Sequence, residues 1–164
     1  MSKKTIWITG GSTGIGKALA IKFASEGWNV AVSARRAELL NELSNSYENI
    51  SSFPLDVTDK EKCKEVFNEI KNKYENIDIC FFSTGTWNPK KEKDIDVDQM
   101  EEVFKINFFG TVNAVKAVEQ HFKDRKEGII SIVSSIAGYR GLPNSTGYGP
   151  SKSCLLYTSD AADE

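Results

Sequence analysis

Thr5-Ile6-Trp7-Ile8-Thr9, followed at once by Gly10-Gly11-Ser12-Thr13-Gly14-Ile15-Gly16, is the stretch on which the fold turns. The first part is short and apolar, without polar alternation, the pattern of a strand covered on both faces. The glycines interrupt it, and then Ile15, Leu19 and Phe23 recur at helical spacing. A glycine loop between a strand and a helix lets the backbone turn sharply and approach a pyrophosphate. The helix start adds free N–H groups and the positive end of its dipole. Gly11 to Lys17 also fits Gly-x-x-x-x-Gly-Lys, the phosphate loop of nucleotide hydrolases. That motif needs Ser or Thr next to hold magnesium, and the residue is Ala18. The plainest alternative is a glycine-rich turn without a ligand.

The same alternation continues. Val30-Ala31-Val32 reads as a strand, and Leu39, Leu40 and Leu43 as a helix. Phe53 to Leu55 reads as a third strand, running into Asp56-Val57 with Thr58 or Asp59 as helix cap. Cys63, Val66, Phe67, Ile70 and Tyr74 mark one helical face, and Ile77 to Phe82 is a fourth strand. One long helix carries Met100, Phe104, Phe108, Thr111, Val115, Val118 and Phe122, and Gly128 to Val133 is the fifth run. Five apolar runs alternating with four helical patterns predict an α/β fold. It is a doubly wound, parallel, Rossmann-like sheet with right-handed crossovers and strand order 3-2-1-4-5. Lys90 to Asp98 reads as a solvated loop leading into a helix.

The bulk numbers exclude several classes. The chain has 164 residues, enough for one domain with a core, and a net charge of −2 gives no basic footprint for nucleic acid. The apolar stretch behind Met1-Ser2-Lys3-Lys4 is too short for a signal peptide or a membrane span, so a cytoplasmic protein is expected. Cys63, Cys80 and Cys154 are odd in number and far apart, which fits a reduced compartment. With His121 as the one histidine and no Cys-x-x-Cys, no metal site is expected.

Tyr148-Gly149-Pro150-Ser151-Lys152 places a phenol and an ammonium four residues apart, on one face of a helix. A free tyrosine ionises near about 10, and a neighbouring ammonium favours the phenolate. Such a pair can exchange a proton with a carbonyl or alcohol oxygen near neutral pH. Pro150 suits a first helical turn. Ser135 lies thirteen residues before Tyr148, at the end of the fifth apolar run, with Ser134 as its nearest competitor. Asn107 sits among apolar positions of the long helix, where an amide is either catalytic or a hydrogen-bonded structural group.

Taken together, Thr9-Gly10-x-x-x-Gly14-x-Gly16, Asp56, Asn107 with Gly110, Ser135, and Tyr148 with Lys152 resemble the classical short-chain dehydrogenase/reductase family. The resemblance covers about residues 4–153. It implies an NAD(P)(H)-dependent oxidoreductase interconverting a carbonyl and a secondary alcohol. By that resemblance Tyr148 is the general acid/base, and Lys152 tunes it and holds the nicotinamide ribose. Ser135 bonds the substrate oxygen, and Asn107 completes a proton relay through water. Cofactor binding falls to Gly10, Ser12, Thr13, Gly14, Ile15 and Gly16, to Asp56 and Val57 at the adenine, and to Gly85, Tyr148 and Lys152. An NAD-specific site would carry an acid after the second strand. Here stand Arg35 and Arg36, which suit a 2′-phosphate, so NADP(H) is favoured and NAD(H) stays possible. Arg35 is the first candidate and Arg36 the second. The family also implies a homodimer or homotetramer of the parent protein. Two other classes compete: a non-catalytic dinucleotide-binding regulator, opposed by the intact Ser135, Tyr148 and Lys152, and the nucleotide hydrolase opposed by Ala18.

Two departures stand out. The family usually has Asn-Ala-Gly where this chain has Ser83-Thr84-Gly85, which puts a brace of the central sheet in question. The second concerns the end of the chain. Cys154 to Glu164 resembles the in-frame translation of a transposase sequencing adapter, and the Asp- and Ala-rich tail contrasts with a chain in which Lys outnumbers Arg 17 to 4. The expected division is therefore an incomplete dinucleotide-binding domain, 1–153, and a non-native tail, 154–164. The last two family strands would be missing, leaving the apolar edge Ile129 to Val133 uncovered and the fragment poorly soluble and inactive. Trp87, Tyr139 and Leu142 are expected near the mouth of the substrate site; the substrate itself is not legible.

Overall fold

The computed structural model describes residues 3–90 and 94–160. Thr5–Thr9 forms β1, Gly14–Ser25 α1, Asn29–Ser33 β2, Ala37–Ser46 α2, Ile50–Ser52 β3, Lys60–Tyr74 α3 and Ile79–Phe82 β4. Val97–Phe104 forms α4, which passes through a π-helical turn, Lys105–Phe109, into α5, Gly110–Arg125. Ile129–Ile132 is β5, Ile136–Gly138 a 3-10 turn and Tyr148–Asp160 α6. The strands make one parallel sheet in the order β3-β2-β1-β4-β5, as the alternation predicts.

β1 is buried along its whole length, and its residues divide by parity. Ile6 and Ile8 face Val30, Val32, Ala20, Leu40 and Leu43, against α1 and α2. Trp7 faces Phe67, Phe82, Val66 and Val118, against α3 and α5. A strand with apolar neighbours on both sides has no polar phase, so its sequence does not alternate. Trp7 stacks on Phe67 and meets Phe82 edge-on, while its Nε1–H donates to Ser33 Oγ at 2.9 Å.

The structure corrects several elements. The third strand is Ile50–Ser52, earlier than Phe53 to Leu55. The segment beyond it still follows β2, with the N–H groups of Phe53 and Leu55 donating to the carbonyls of Val32 and Ala34. Apolar content picked out the stretch that enters the core rather than the stretch with ladder geometry. The helical pattern of Ile15, Leu19 and Phe23 falls within α1, where Gly16, Ala20 and Ala24 are buried and Leu19 and Phe23 pack partly buried on the same core. Small residues let the helix lie close on the sheet, and Ile15 is turned outward. Six α-helices stand among the described residues, because the expected long helix is divided into α4 and α5 and the helix expected at Tyr148 is α6. The long helix is interrupted at Asn107, and its buried ridge runs through Val103, Asn107, Gly110, Ala114, Val118 and His121. Asp59, the second of the two cap candidates, caps α3 by accepting from Lys62 N at 2.9 Å. Of the charged stretch Lys90 to Asp98, residues 91–93 lie outside the described residues, as do 161–164 of the tail; Cys154 to Asp160 continue α6.

Ile129 and Ile130 of β5 are exposed, whereas Ser131 to Val133 are half-buried. His121 is buried against the Ile77 carbonyl at 3.1 Å, and burial holds its pKa below the ordinary imidazole value. No metal-holding cluster of His, Cys, Asp or Glu occurs among the described residues, and no described helix is long and apolar enough to cross a membrane.

Candidate active site

The carboxyl ends of β1, β2 and β4 open into a cleft of about 450 Å³. Gly10, Ser12, Thr13, Gly14, Ile15 and Gly16 form one wall. Arg35, Arg36, Asp56, Val57 and Gly85 belong to the same lining, so eleven residues singled out from sequence meet in one place.

The glycines have separate physical reasons. Gly10 has φ +71°, and a Cβ there would stand 2.9 Å from the backbone of Ser83 and Thr84. A Cβ at Gly16 would collide with the carbonyl oxygen of Gly10, so the first turn of α1 packs directly on the loop. Gly14 has φ +56° with nothing close by, so its requirement is conformational. Ser83 Oγ donates to the Thr9 carbonyl at 2.7 Å. The serine that replaces the family asparagine thus still ties β4 to β1.

The two arginines behave differently. Arg36 Nη2 donates to Ser12 Oγ at 3.2 Å and Thr13 Oγ1 at 3.0 Å, folding the guanidinium over the glycine loop. Arg35 is exposed at the cleft rim. Asp56 Oδ1 accepts from both the N–H and the hydroxyl of Thr58, which fixes the carboxylate at the cleft edge.

Beyond Gly85 the cleft meets a second group of residues. Lys152 is buried on α6 and its Nζ donates to the Val133 carbonyl at 2.8 Å. Burial pulls its pKa from the ordinary 10.5 down to about 8. The ammonium lies 5.9 Å from the centre of the Tyr148 ring. A Cβ on Gly85 would stand 3.4 Å from Lys152 Nζ and 3.5 Å from Asn107 Oδ1, so both polar groups address the glycine's open side.

The family model described as short chain dehydrogenase matches residues 4–164. The chain belongs to that family. It is 31% identical over 163 residues to dehydrogenase/reductase SDR family member 7 of Mus musculus, covering 94% of this chain and 48% of the mouse protein. An uncharacterized oxidoreductase of Listeria monocytogenes is 33% identical over 157 residues, covering 93% and 63% respectively. Among solved structures, ElxO with NADP bound superposes with a TM-score of 0.86 at 32% identity, covering 95% of this chain and 65% of ElxO. A short-chain dehydrogenase from Streptomyces avermitilis gives 0.89 at 26% identity, with 98% and 60% covered. The chain thus spans about half to two thirds of the length of these curated relatives.

Within this member of the family, the structure separates the two serines. Ser134 Oγ donates to the Lys152 carbonyl at 2.8 Å and ties β5 to α6. Ser135 caps the 3-10 turn, accepting from Ala137 N at 3.2 Å, and is half-buried. Asn107 is fully buried in the π turn. Its Oδ1 accepts from Thr86 N at 2.7 Å; its Nδ2 donates to the Thr86 carbonyl at 2.9 Å and to Ser151 Oγ at 3.1 Å. Ser151 Oγ in turn donates to the Tyr148 carbonyl at 2.7 Å. The asparagine thereby joins the loop after β4 to the first turn of α6.

Sequence reasoning missed Thr86 and Ser151. A serine in a helix commonly bonds back to its own turn, so spacing alone could not show that Ser151 also receives the Asn107 amide. Trp87 was placed near the site but not on Tyr148, where its ring is stacked. Tyr139 is strongly exposed, and Leu142 also stands at the surface.

Proposed function

We propose that the full-length protein is a carbonyl/alcohol oxidoreductase of the short-chain type, with NADP(H) as preferred cofactor and NAD(H) as the alternative. The observation that carries this reading is the convergence of Tyr148, Lys152 and Asn107 at the Gly85 end of a glycine-walled cleft. The cleft suits a dinucleotide: the Gly10 and Gly16 positions have no room for a Cβ, and α1 starts at the loop with its N–H groups free for a pyrophosphate.

When bound, the nicotinamide supplies or accepts a hydride at its C4. In reduction the carbonyl carbon gains that hydride, and the carbonyl oxygen takes a proton from the Tyr148 hydroxyl. Oxidation reverses both transfers. Lys152 supplies positive charge beside the phenol and would hold the ribose hydroxyls of a bound cofactor, and Ser135 would donate to the substrate oxygen. The Asn107 side-chain N–H groups are engaged by Thr86 and Ser151, so its share in a proton relay falls to the remaining lone pair of Oδ1, which faces the space beside Lys152. Arg35, exposed at the rim, and Arg36, over the loop, offer guanidinium to a 2′-phosphate. The parent is expected to be a homodimer or homotetramer acting on a small molecule in the cytoplasm.

The test is turnover of a ketone panel by the full-length protein. NADPH should give the higher kcat/KM, and Tyr148→Phe should lower kcat by about 10²-fold or more while NADPH still binds. A higher kcat/KM with NADH removes the cofactor preference; full activity in Tyr148→Phe removes the mechanism. The 164-residue chain alone is expected to be silent, and measurable carbonyl reduction by it would overturn that expectation.

A further inference from the structure

Trp87 and Tyr148 are 61 residues apart in sequence, yet their rings lie together, centroids 5.4 Å apart and planes 26° from parallel. The indole Nε1–H donates to the Asn144 carbonyl at 3.0 Å. Asn144 has φ +54°, a left-handed conformation that asparagine tolerates, set in the loop that leads into α6. One residue before Trp87, Asn107 grips both the N–H and the carbonyl of Thr86. The indole is therefore fixed through its N–H and through one ring face, on a backbone held at the preceding residue. It is nevertheless 47% exposed. A large ring that is pinned and still half open is a preformed contact surface, since holding it costs a ligand little further ordering.

We infer that Trp87 is a specificity-determining residue, and that the substrates it selects are ketones or secondary alcohols bearing a flat aryl group. This rests on the oxidoreductase reading above. A substrate whose oxygen reaches the Tyr148 hydroxyl lies beside the ring stacked on that phenol. Its substituent then runs along the open part of the indole, where a flat π surface gains an offset-stacked contact that a flexible alkyl chain lacks. Ile136, which follows Ser135 in the 3-10 turn, is 75% exposed and adds an uncharged apolar side chain next to that serine.

The experiment compares acetophenone with octan-2-one, of equal carbon count, in the full-length protein and in Trp87→Ala and Trp87→Phe, with NADPH affinity as control. The expected result is a kcat/KM preference of about tenfold for the aryl ketone, lost in Trp87→Ala and largely kept in Trp87→Phe. NADPH affinity should be unchanged in both variants. A preference that survives in Trp87→Ala, or is absent from the parent protein, overturns the inference. If neither ketone turns over, the oxidoreductase reading fails separately. Saturable quenching of indole emission by acetophenone in the NADP⁺-loaded protein then decides the point. Quenching that disappears in Trp87→Phe supports the aryl contact, and quenching that is absent, or equal in that variant, overturns it.

Discussion

Lys152 is a buried cation that donates to a neutral carbonyl, that of Val133, and desolvation holds its pKa at about 8 against an ordinary 10.5. The direction of the pH effect follows from proton counting. Below about 8 both the folded and unfolded chains carry the proton, and the folded chain bears the whole desolvation cost. Between about 8 and 10.5 the unfolded chain binds more protons, so stability rises with pH across that window. The urea midpoint of the parent protein should therefore gain on that of Lys152→Met as pH goes from about 8 to about 10. A flat difference would mean that the ammonium is not desolvated. The glycines give a second residue-scale contrast. Gly16→Ala drives a Cβ into backbone at Gly10, whereas Gly14→Ala meets open space and suffers only its left-handed φ. Gly14→Ala should cost about 1 kcal/mol and Gly16→Ala about 2–3 kcal/mol by urea denaturation, with NADPH binding lost only in the latter.

At the scale of elements, Asn107 explains why the long helix is not one regular α-helix. The π turn Lys105–Phe109 swings one extra residue into the core side, which lets a buried amide clamp Thr86 while α5 keeps its ridge on the sheet. Asn107→Leu leaves the N–H and carbonyl of Thr86 without that partner, and a cost of about 2–4 kcal/mol in urea denaturation is expected. A cost under about 0.5 kcal/mol would mean that the loop finds other partners. The sequence carried part of this. Asn107 stood out because an amide among Val103, Thr111 and Val115 must be satisfied, but a period of three to four cannot show a π insertion of one residue. The pattern Ile15, Leu19 and Phe23 marked α1 correctly, but hydrophobicity could not show that the deepest contacts belong to the small residues Gly16, Ala20 and Ala24, with Leu19 and Phe23 packed partly buried beside them. The strand order was legible because five unalternating runs and right-handed crossovers leave few arrangements. The stack of Trp87 on Tyr148 was not, because it joins the loop after β4 to the first turn of α6, whose relation only the folded sheet sets.

For the whole molecule, the sheet is covered at its centre and ends in two edge strands, β3 and β5, of which β5 exposes two isoleucines. β1, β2 and β4 lie between two apolar clusters, while β5 has one strand neighbour, β4, and exposes Ile129 at 56% and Ile130 at 37%. A strand with free N–H and carbonyl groups along one side and isoleucines beside them is a template for pairing with another chain. The 164-residue polypeptide is therefore expected to self-associate through β5, and the remedy should be local. Ile129 is the better position to change, because Ile130 shares its face with Ile132, which packs on the Trp7 cluster. Ile129→Lys places a charge on the open edge and removes little buried surface, so its cost in stability should stay below about 1 kcal/mol. The expected outcome is a larger soluble fraction on expression, and a shift from aggregate to monomer in size-exclusion chromatography, with an unaltered urea midpoint. Unchanged aggregation in Ile129→Lys would move the cause away from β5. The exposed Val97 and Phe109, which flank an apolar hollow on α4 and its π turn, would then be the next surface to test in the same way.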